Sequence, residues 1–483
     1  MIINDIKEIN MKKIIIAAIT LSMGTAFLSS CEDSLELQPQ QSLSTDLAFV
    51  NKRAAEGSLI GVYSAVQDLE VFGAVPQSIA DYQSDNVEFI GSFPTFQEIF
   101  QYSTLSDNSS ISTMWRDNYV AILAANAVIK NVPGVEDVTF TATEKAQFVA
   151  EAKFLRAAVY FQLVNNFAQP INIGGASALG VPLVLEPFEG EVEFPARATV
   201  GEVHAQIKKD LEEAAAALAD VTYLGEFIRG RATSGAAQGM LARLHLYRGE
   251  YNEAATFANQ VISSSTYALA PDYGFYNGAT SEDVFTVLMT AIDNSRTGSG
   301  GWASYYSPAE DGARGDAPLS QNMIAAFKEE AGDKRFALTK VAANGLTYTT
   351  KFPDAVNSTD NAPIMRVTEM YLTAAEALAE QNGVTAAAIN LMNPLRLRAG
   401  LPVWTTSTFA SKEAFVSAIL KERRKELAFE GHRRMDLLRK GLPLRPSNDP
   451  QFAASQPGQP KTILPIPQRE VDLNSNLQQN QGY

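Results

Sequence analysis

Three glutamates near the C-terminus recur at four-residue intervals: Glu422, Glu426 and Glu430. On a helix, carboxylates at positions i and i+4 share one face, so neighbouring members of this set have the spacing of a glycosidase acid and base pair. Arginines such as Arg423 and Arg434 are interleaved with them, and a nearby guanidinium lowers a carboxyl pKa and removes a proton donor. The pattern therefore favours a structural ion-pair network, and we expect no catalytic residues in this block.

Residue types that bind metals are scattered along the chain. The histidines are far apart in sequence and lack the spacing of a zinc site: His204, His245 and His432. A loop with Asp354, Asn357 and Asp360 offers oxygen ligands, but their spacing misses the EF-hand pattern. We expect no metal and no cofactor, and a calcium ion in this loop is the open alternative.

Two long stretches, near residues 70–112 and 268–316, are rich in Gly, Ser, Pro, Asp and aromatic residues and lack a helical period. Long loops in compact domains usually carry function. Sugar rings present flat C–H faces, so a glycan site needs exposed aromatic side chains and a few hydrogen-bonding partners. We therefore predict these ligand-binding residues: Trp302, Tyr305, Tyr306, Arg314, Asp81, Tyr82, Phe72 and Phe93. The alternative is that these aromatic side chains form the packed core of the loops.

The segments between these loops have helical periodicity, and strand-like alternation is scarce. The predicted helices are 47–66, 114–130, 143–167, 200–218, 235–246, 252–262, 370–379, 385–398 and 412–439. The sequence thus predicts a mainly α protein in which the helices hold the loops.

Residues 236–262 alternate alanines with leucines, are interrupted by Gly249 and place Tyr251 just after the break. This pattern resembles a tetratricopeptide helix-turn-helix, in which small side chains let two antiparallel helices approach closely. Residues 371–401 repeat the pattern more loosely around Gly383. We therefore predict a tetratricopeptide-like helical-repeat scaffold, whose long irregular loops form a ligand-binding subregion.

The single cysteine, Cys31, follows an apolar run at residues 14–28 that is preceded by two lysines. These features are typical of a signal peptide, and Met11 is its expected start. As a helix the run rises about 22 Å, less than the roughly 30 Å hydrocarbon core of a bilayer, so we do not expect a retained membrane span. We predict a signal peptide at 1–30 and lipidation of Cys31.

The predicted lipidated tether, 31–43, precedes a single folded unit at 44–483, since no Pro/Ser-rich or charge-rich linker divides that stretch. The formal charge is -15, and loss of 1–30 removes three lysines and two acidic residues, which leaves -16. Such an acidic surface repels phosphate backbones and anionic lipid headgroups. Nucleic acid is therefore excluded as a partner, and we expect the membrane to be reached through the lipid.

Several sequence blocks occur together in a defined order. They are LELQPQ at 35–40, AEAKFLRA at 150–157, RAT at 231–233, MR at 365–366, EMYL at 369–372, AEA at 375–377, ERRKELAFEGHR at 422–433, LPIP at 464–467 and QNQGY at 479–483. With these blocks the chain resembles, from the tether to its last residue, the SusD/RagB family. Members of that family are surface lipoproteins that act beside TonB-dependent transporters in glycan uptake by Bacteroidetes.

The resemblance implies a non-catalytic lipoprotein of the outer membrane, facing the cell exterior, that captures a glycan and delivers it to a SusC-like TonB-dependent transporter. The acidic pair after Cys31 is similar to the surface-export signal of Bacteroidetes lipoproteins. Two alternatives stay open. One is a lipid-anchored glycoside hydrolase, for which Asp311 and Asp316 are the loop carboxylates to test, and the other is a helical-repeat lipoprotein that binds a peptide or protein.

Overall fold

The computed structural model describes residues 45–219, 229–274, 278, 280–295 and 300–483. The predicted signal peptide, the predicted lipidation site Cys31 and the tether at 31–43 lie outside the described residues. The chain divides into Met1–Val50, whose described part contains a helical turn at Thr45–Ala48, and a larger unit, Asn51–Tyr483. Within the described ranges, no helix is both long and apolar enough to cross a membrane.

The larger unit is mainly helical, which confirms the predicted fold class. Its α-helices are α1 (Lys52–Gln67), α2 (Val75–Tyr82), α3 (Pro94–Phe100), α4 (Ser109–Asn131), α5 (Ala142–Phe167), α6 (Val200–Ala217), α7 (Ser234–Arg248), α8 (Tyr251–Ser263), α9 (Trp302–Tyr306), α10 (Gln321–Lys328), α11 (Val367–Asn382), α12 (Ala386–Arg398), α13 (Lys412–Glu426), α14 (Arg433–Leu438) and α15 (Gln468–Leu473), with a further turn at Ile171–Gly174. A π-helical turn, Leu69–Gly73, connects α1 to α2.

The strands are few and short. β1 (Asp283–Val287) pairs antiparallel with β4 (Ala362–Arg366), and the register between them is irregular. β2 (Thr339–Val341) and β3 (Thr347–Thr349) form a small hairpin. These strands lie between helical segments and do not form a larger sheet in the described part of the chain.

Local signals in the sequence explain where the long helices begin and end. α5 begins with a capping box, since the Thr141 hydroxyl accepts the Glu144 N–H and the Glu144 carboxylate accepts the Thr141 N–H. α6 begins in the same way. α7 ends at Gly249, whose φ of +73° is the left-handed conformation that glycine adopts without strain.

Consecutive helices pack side by side along the chain. α4 packs on α5, α5 on α6, α6 on α7, α7 on α8, α8 on α11, and α11 on both α12 and α13. The alanines of the predicted repeat are buried in this stack, which brings α7 and α8 close together. The stacking of neighbouring helix pairs is that of a helical-repeat scaffold, as the sequence predicts.

Two expectations about the elements are wrong. The predicted helix 412–439 is broken into α13 and α14, because Phe429 (φ +66°) and Gly431 (φ +80°) leave the right-handed helical region. The stretch 70–112, predicted to be loop, contains α2, α3 and the start of α4. Every residue of α2 is buried, and its eight residues, with Pro76 near the start, are too few for a helical period to be recognised from sequence.

Candidate ligand-binding surface

The two loop-rich stretches of the sequence come together in the structure. The segment 87–90 runs antiparallel to 316–319, with hydrogen bonds from Glu88 N to Pro318 O (2.9 Å) and from Ile90 N to Asp316 O (2.8 Å). The predicted site residues of both stretches are therefore parts of one subregion.

The aromatic residues of α9 are buried, so the expectation that they form an exposed platform is wrong. Trp302 and Tyr305 are each 2% exposed and Tyr306 is fully buried. The Trp302 indole donates its Nε1–H to the carbonyl oxygen of Phe72 (3.1 Å) and packs on Phe352, with 5.0 Å between ring centroids. A ring held in this way stabilises the subregion and is closed to a ligand.

The predicted residues of the first stretch are mostly buried too. Phe72 and Tyr82 belong to the core, and Tyr82 contacts Phe96 at 5.6 Å between ring centroids. Asp81 is fully buried and accepts hydrogen bonds from the Tyr306 hydroxyl (2.8 Å) and the Asn86 amide (2.8 Å). Burial raises the pKa of Asp81 to about 6, although these two donors oppose the shift.

One predicted aromatic side chain is exposed. Phe93, just before α3, is 49% exposed, and the guanidinium carbon of Arg314 lies 4.2 Å from its ring centroid. The same carbon lies 4.7 Å from the centroid of the buried Tyr305 ring. Asp316 fixes Arg314 through a salt bridge of 3.1 Å between Oδ2 and Nε. Cation–π contact with Arg314, which Asp316 and Tyr305 position, holds Phe93 in place.

Arg314 is largely enclosed in this position, with a side chain that is 10% exposed. Its Nη2 is buried, and the Arg314 side chain is a hydrogen-bonding neighbour of the Tyr305 hydroxyl. We call Ile90, Phe93, Arg314 and Asp316 the Phe93–Arg314 surface.

Sequence reasoning missed Ile90, which is about half exposed. Glu88 and Ile90 are exposed whereas Phe89 between them is buried, so the period of two that marks an extended segment was present. The signal spans only three residues, which is too short to separate from a loop.

The loop carboxylates proposed as a glycosidase pair have separate partners. Asp311 is exposed and forms a salt bridge to Lys340 (2.6 Å), whereas Asp316 pairs with Arg314. Each of the two carboxylates is thus bound by a cation of its own.

The glutamates of the C-terminal block form a buried ion-pair network, as the sequence predicts. Glu422 pairs with Arg335 (2.8 Å), Glu426 with Arg398 (2.7 Å) and Glu430 with Arg366 (2.8 Å). Burial alone raises the pKa of Glu426, but the guanidinium groups of Arg398, Arg335 and Arg366 outweigh it and hold that pKa at about 2. A carboxylate that stays ionised is a poor proton donor, so the network is structural.

Most carboxylate oxygens of the loop considered for calcium accept hydrogen bonds from the loop itself, and Asp360 Oδ1 is the exception. Asp354 Oδ1 accepts the Asn357 N–H (2.9 Å), and Asp360 Oδ2 accepts the Asp354 N–H (2.8 Å). Within the described residues, another acidic group, Asp68, Glu70 and Asp117, has carboxylate oxygens within 4.8 Å of one another. Acidic groups of this kind are common on protein surfaces and identify no metal.

Two family models match the chain on either side of its middle. The model described as "SusD family" matches residues 328–483, and the one described as "Starch-binding associating with outer membrane" matches residues 33–246. The chain belongs to the SusD/RagB family. Both matched ranges contribute to the subregion that contains the Phe93–Arg314 surface, since one includes Phe93 and the other includes Phe352, on which Trp302 packs.

Individual SusD-like proteins resemble this chain over nearly its whole length. A SusD-like protein of Formosa agariphila is 28% identical and aligns with 94% of this chain and 97% of its own. Among solved structures, a SusD superfamily protein of Bacteroides thetaiotaomicron is 28% identical with a TM-score of 0.79, covering 89% of this chain and 99% of that one. A structure named as a laminarin-binding SusD-like protein is 26% identical with a TM-score of 0.74, covering 90% and 100%.

Proposed function

We propose that this chain is a non-catalytic lipoprotein of the cell surface that binds a glycan at the Phe93–Arg314 surface. The observation that carries the proposal is the half-exposed Phe93 ring, held against Arg314, which itself contacts the buried Tyr305 ring and pairs with Asp316. The ring offers a flat face to the C–H groups of a sugar, and Arg314 and Asp316 offer a donor and acceptors to its hydroxyls. The buried residues Trp302, Tyr306, Asp81, Tyr82 and Phe72 support this surface from below.

The family relatives support a binding role. The laminarin-binding neighbour shares the fold at 26% identity, and a family model carries the words "starch-binding" and "outer membrane" in its description. The C-terminal glutamates are bound to arginines and the loop aspartates to separate cations, which also disfavours hydrolysis. We infer that the glycan is held and released unchanged.

The proposed function includes delivery of the bound glycan to a SusC-like TonB-dependent transporter in the outer membrane. Family membership supports this partner. A lipid on Cys31, with the tether at 31–43, would keep the binding surface close to the membrane that contains the transporter.

The proposed lipid anchor on Cys31 can be tested by substitution. Replacement of Cys31 by serine removes the thiol that carries the lipid, so we expect Cys31→Ser to move the chain from the membrane fraction to the soluble fraction of the cell. The measurement is immunoblotting of both fractions, and Ser30→Ala is the matched control. Retention of the Cys31→Ser protein on membranes lacking the transporter would count against the anchor.

A polysaccharide panel tests the binding role. The chain from Glu32 to Tyr483 is titrated with each polysaccharide by calorimetry, and reducing-end release is measured in the same samples. Binding of at least one glycan without release is the expected result. Release of reducing ends would support a glycoside hydrolase instead. Neither binding nor release with any polysaccharide would favour a peptide or protein ligand.

A further inference from the structure

A second surface is built around the outer side of α4. A groove of about 750 Å³ lies between α4, the segment 182–195, α15 and residues 474–477. It shares no residue with the Phe93–Arg314 surface. Pockets of this volume commonly accept a ligand of drug or short-peptide size.

The wall of the groove is held by side chains of the folded core. The Tyr160 hydroxyl donates to Val184 O (2.8 Å), and the Asn126 amide donates to both Val184 O (2.9 Å) and Glu186 O (3.0 Å). At the other end, the Asn476 amide donates to Phe194 O (2.8 Å). Since both ends of the segment are fixed in this way, the groove exists before a partner arrives.

The groove presents large apolar side chains to solvent. Phe188 is 62% exposed and Val192 68% exposed, and Phe194, Val120 and Leu473 are each more than half exposed. Five such residues around one concave site form a patch of the kind that marks an interaction surface.

The rim of the groove is acidic. Five glutamates line it, Glu186, Glu189, Glu191, Glu193 and Glu470, against two basic residues, Arg116 and Lys130. Lys130 pairs with Glu186 (2.8 Å) and Glu189 (3.8 Å), whereas Glu191 and Glu193 form no ion pair within the described residues. An unneutralised acidic rim around an apolar floor is complementary to a cationic and apolar partner.

We propose that this groove docks a segment of a partner protein in which apolar anchor residues are flanked by lysine or arginine. The acidic rim argues against three other occupants, namely an anionic lipid surface, a second copy of this chain and the tether at 31–43. An anionic lipid surface and a second copy of this chain, with its formal charge of -15, would both bring like charges to the glutamates. The tether at 31–43 contains three acidic residues and no lysine or arginine, so it is repelled too. The proposal does not depend on glycan binding.

The test uses the chain from Glu32 to Tyr483 and short fluorescent peptides, with fluorescence anisotropy as the readout. The probe is an amphipathic peptide of leucine and lysine, and the comparison peptides replace lysine by glutamate or leucine by serine. We expect the leucine and lysine peptide to bind best. Phe188→Ser/Phe194→Ser should weaken its binding roughly tenfold, because the apolar anchors lose their contacts. Glu191→Gln/Glu193→Gln should weaken it and reduce its dependence on salt.

Matched variants outside the groove control for non-specific attraction to an acidic protein. Val138→Ser changes a fully exposed apolar residue elsewhere on the surface, and Glu136→Gln/Glu253→Gln removes two exposed carboxylates outside the groove. Equal binding by groove and control variants, or equal binding of all three peptides, would overturn the proposal.

A second measurement identifies the occupant in cells. A photo-cross-linking amino acid at Val192, compared with one at Val138, should give adducts whose partner peptides contain apolar residues beside lysine or arginine. Adducts to a second copy of this chain, to lipid, or to no partner above the Val138 level would contradict the proposal. Glycan binding by the calorimetric panel should stay unchanged in all groove variants, which separates this test from that of the proposed function.

Discussion

Trp302 and Phe93 are aromatic residues of the same subregion, but their surroundings assign them different roles. The Trp302 indole is enclosed and hydrogen-bonded to a backbone carbonyl, whereas Phe93 exposes half of its surface above Arg314. Truncation of the first leaves a cavity and an unpaired carbonyl, and truncation of the second removes a surface that a ligand can contact.

We therefore predict that alanine at Trp302 mainly lowers stability and that alanine at Phe93 mainly weakens ligand binding. Trp302→Ala should lower the free energy of unfolding by about 3–5 kcal/mol, and Phe93→Ala should change it by less than about 1 kcal/mol. For a glycan found with the panel, Phe93→Ala should weaken binding by roughly 1–3 kcal/mol. Urea denaturation and calorimetry measure the two quantities.

Phe188→Ala is the control for the Phe93 variant, because it removes an exposed phenyl ring from a different surface. Unchanged glycan affinity in Phe93→Ala, with an intact fold, would remove Phe93 from the proposed site.

The buried carboxyl of Asp81 predicts a dependence of stability on pH. Its pKa is raised from 3.8 to about 6, so the folded protein holds this proton more tightly than the unfolded chain. The contribution of Asp81 to stability is therefore complete at low pH and is lost as pH rises from about 4 through 6. The free energy of unfolding of the native chain relative to Asp81→Asn should fall by roughly 2–3 kcal/mol between pH 4 and pH 7. Denaturant titrations of both proteins across that range measure it, and a constant difference would contradict the assigned pKa.

At the scale of elements, the break between α13 and α14 is a feature that the local sequence does not predict. The residues before it favour helix, and the chain turns because Glu430 lies against Arg366 and Gly431 packs on Gln77 of α2. Neither partner is visible from local sequence, since helical periodicity reports only neighbours three and four positions away.

Gly431 and Gly249 have a similar positive φ but different surroundings, which gives a matched pair of variants. A Cβ at Gly431 would lie 2.9 Å from Gln77 Cγ, whereas a Cβ at Gly249 has no atom within 4 Å. We predict that Gly249→Ala costs roughly 1–2 kcal/mol, from backbone strain alone, and that Gly431→Ala costs roughly 2–5 kcal/mol. Urea denaturation of both variants decides this, and equal losses would show that the contact with Gln77 is relieved without cost.

At the scale of the molecule, the ion-pair network joins segments from distant parts of the chain. Glu426 contacts Arg398 of α12, and the neighbouring Glu430 contacts Arg366 of β4. Glu282, just before β1, pairs with both of these arginines (2.6 and 2.7 Å). Loss of one charge leaves its buried partners uncompensated.

We predict that Glu426→Gln lowers the free energy of unfolding by about 3–5 kcal/mol. Glu329→Gln should change it by at most about 1 kcal/mol, because its salt bridge to Lys421 (2.5 Å) is exposed to solvent. Denaturant unfolding of the two variants at neutral pH measures the contrast. A loss of similar size in both would contradict the idea that burial sets the strength of these pairs.

The sequence predicts the mainly helical fold and the repeat around Gly249, because each depends on residues close together in the chain. It also predicts that the C-terminal glutamates are paired, but not with which residues, since Arg335, Arg366 and Arg398 lie 87, 64 and 28 positions from the glutamates they bind. It does not predict that Trp302 and Tyr306 are buried. Their hydrogen-bond partners, Phe72 and Asp81, lie 230 and 225 positions away, and loop composition carries no information on which distant segment covers a ring. Phe93 is the predicted aromatic left exposed, and its contact with Arg314 likewise joins the two stretches.

The antiparallel contact between 87–90 and 316–319 also has a consequence for how the protein is made. Contacts between residues so far apart in sequence form slowly, because the chain loses the entropy of a long loop before the contact stabilises it. Strand-like pairing at Ile90 needs Asp316 to have emerged and folded. A nascent or proteolysed chain that ends before residue 316 would therefore lack the pairing that positions the Phe93–Arg314 surface.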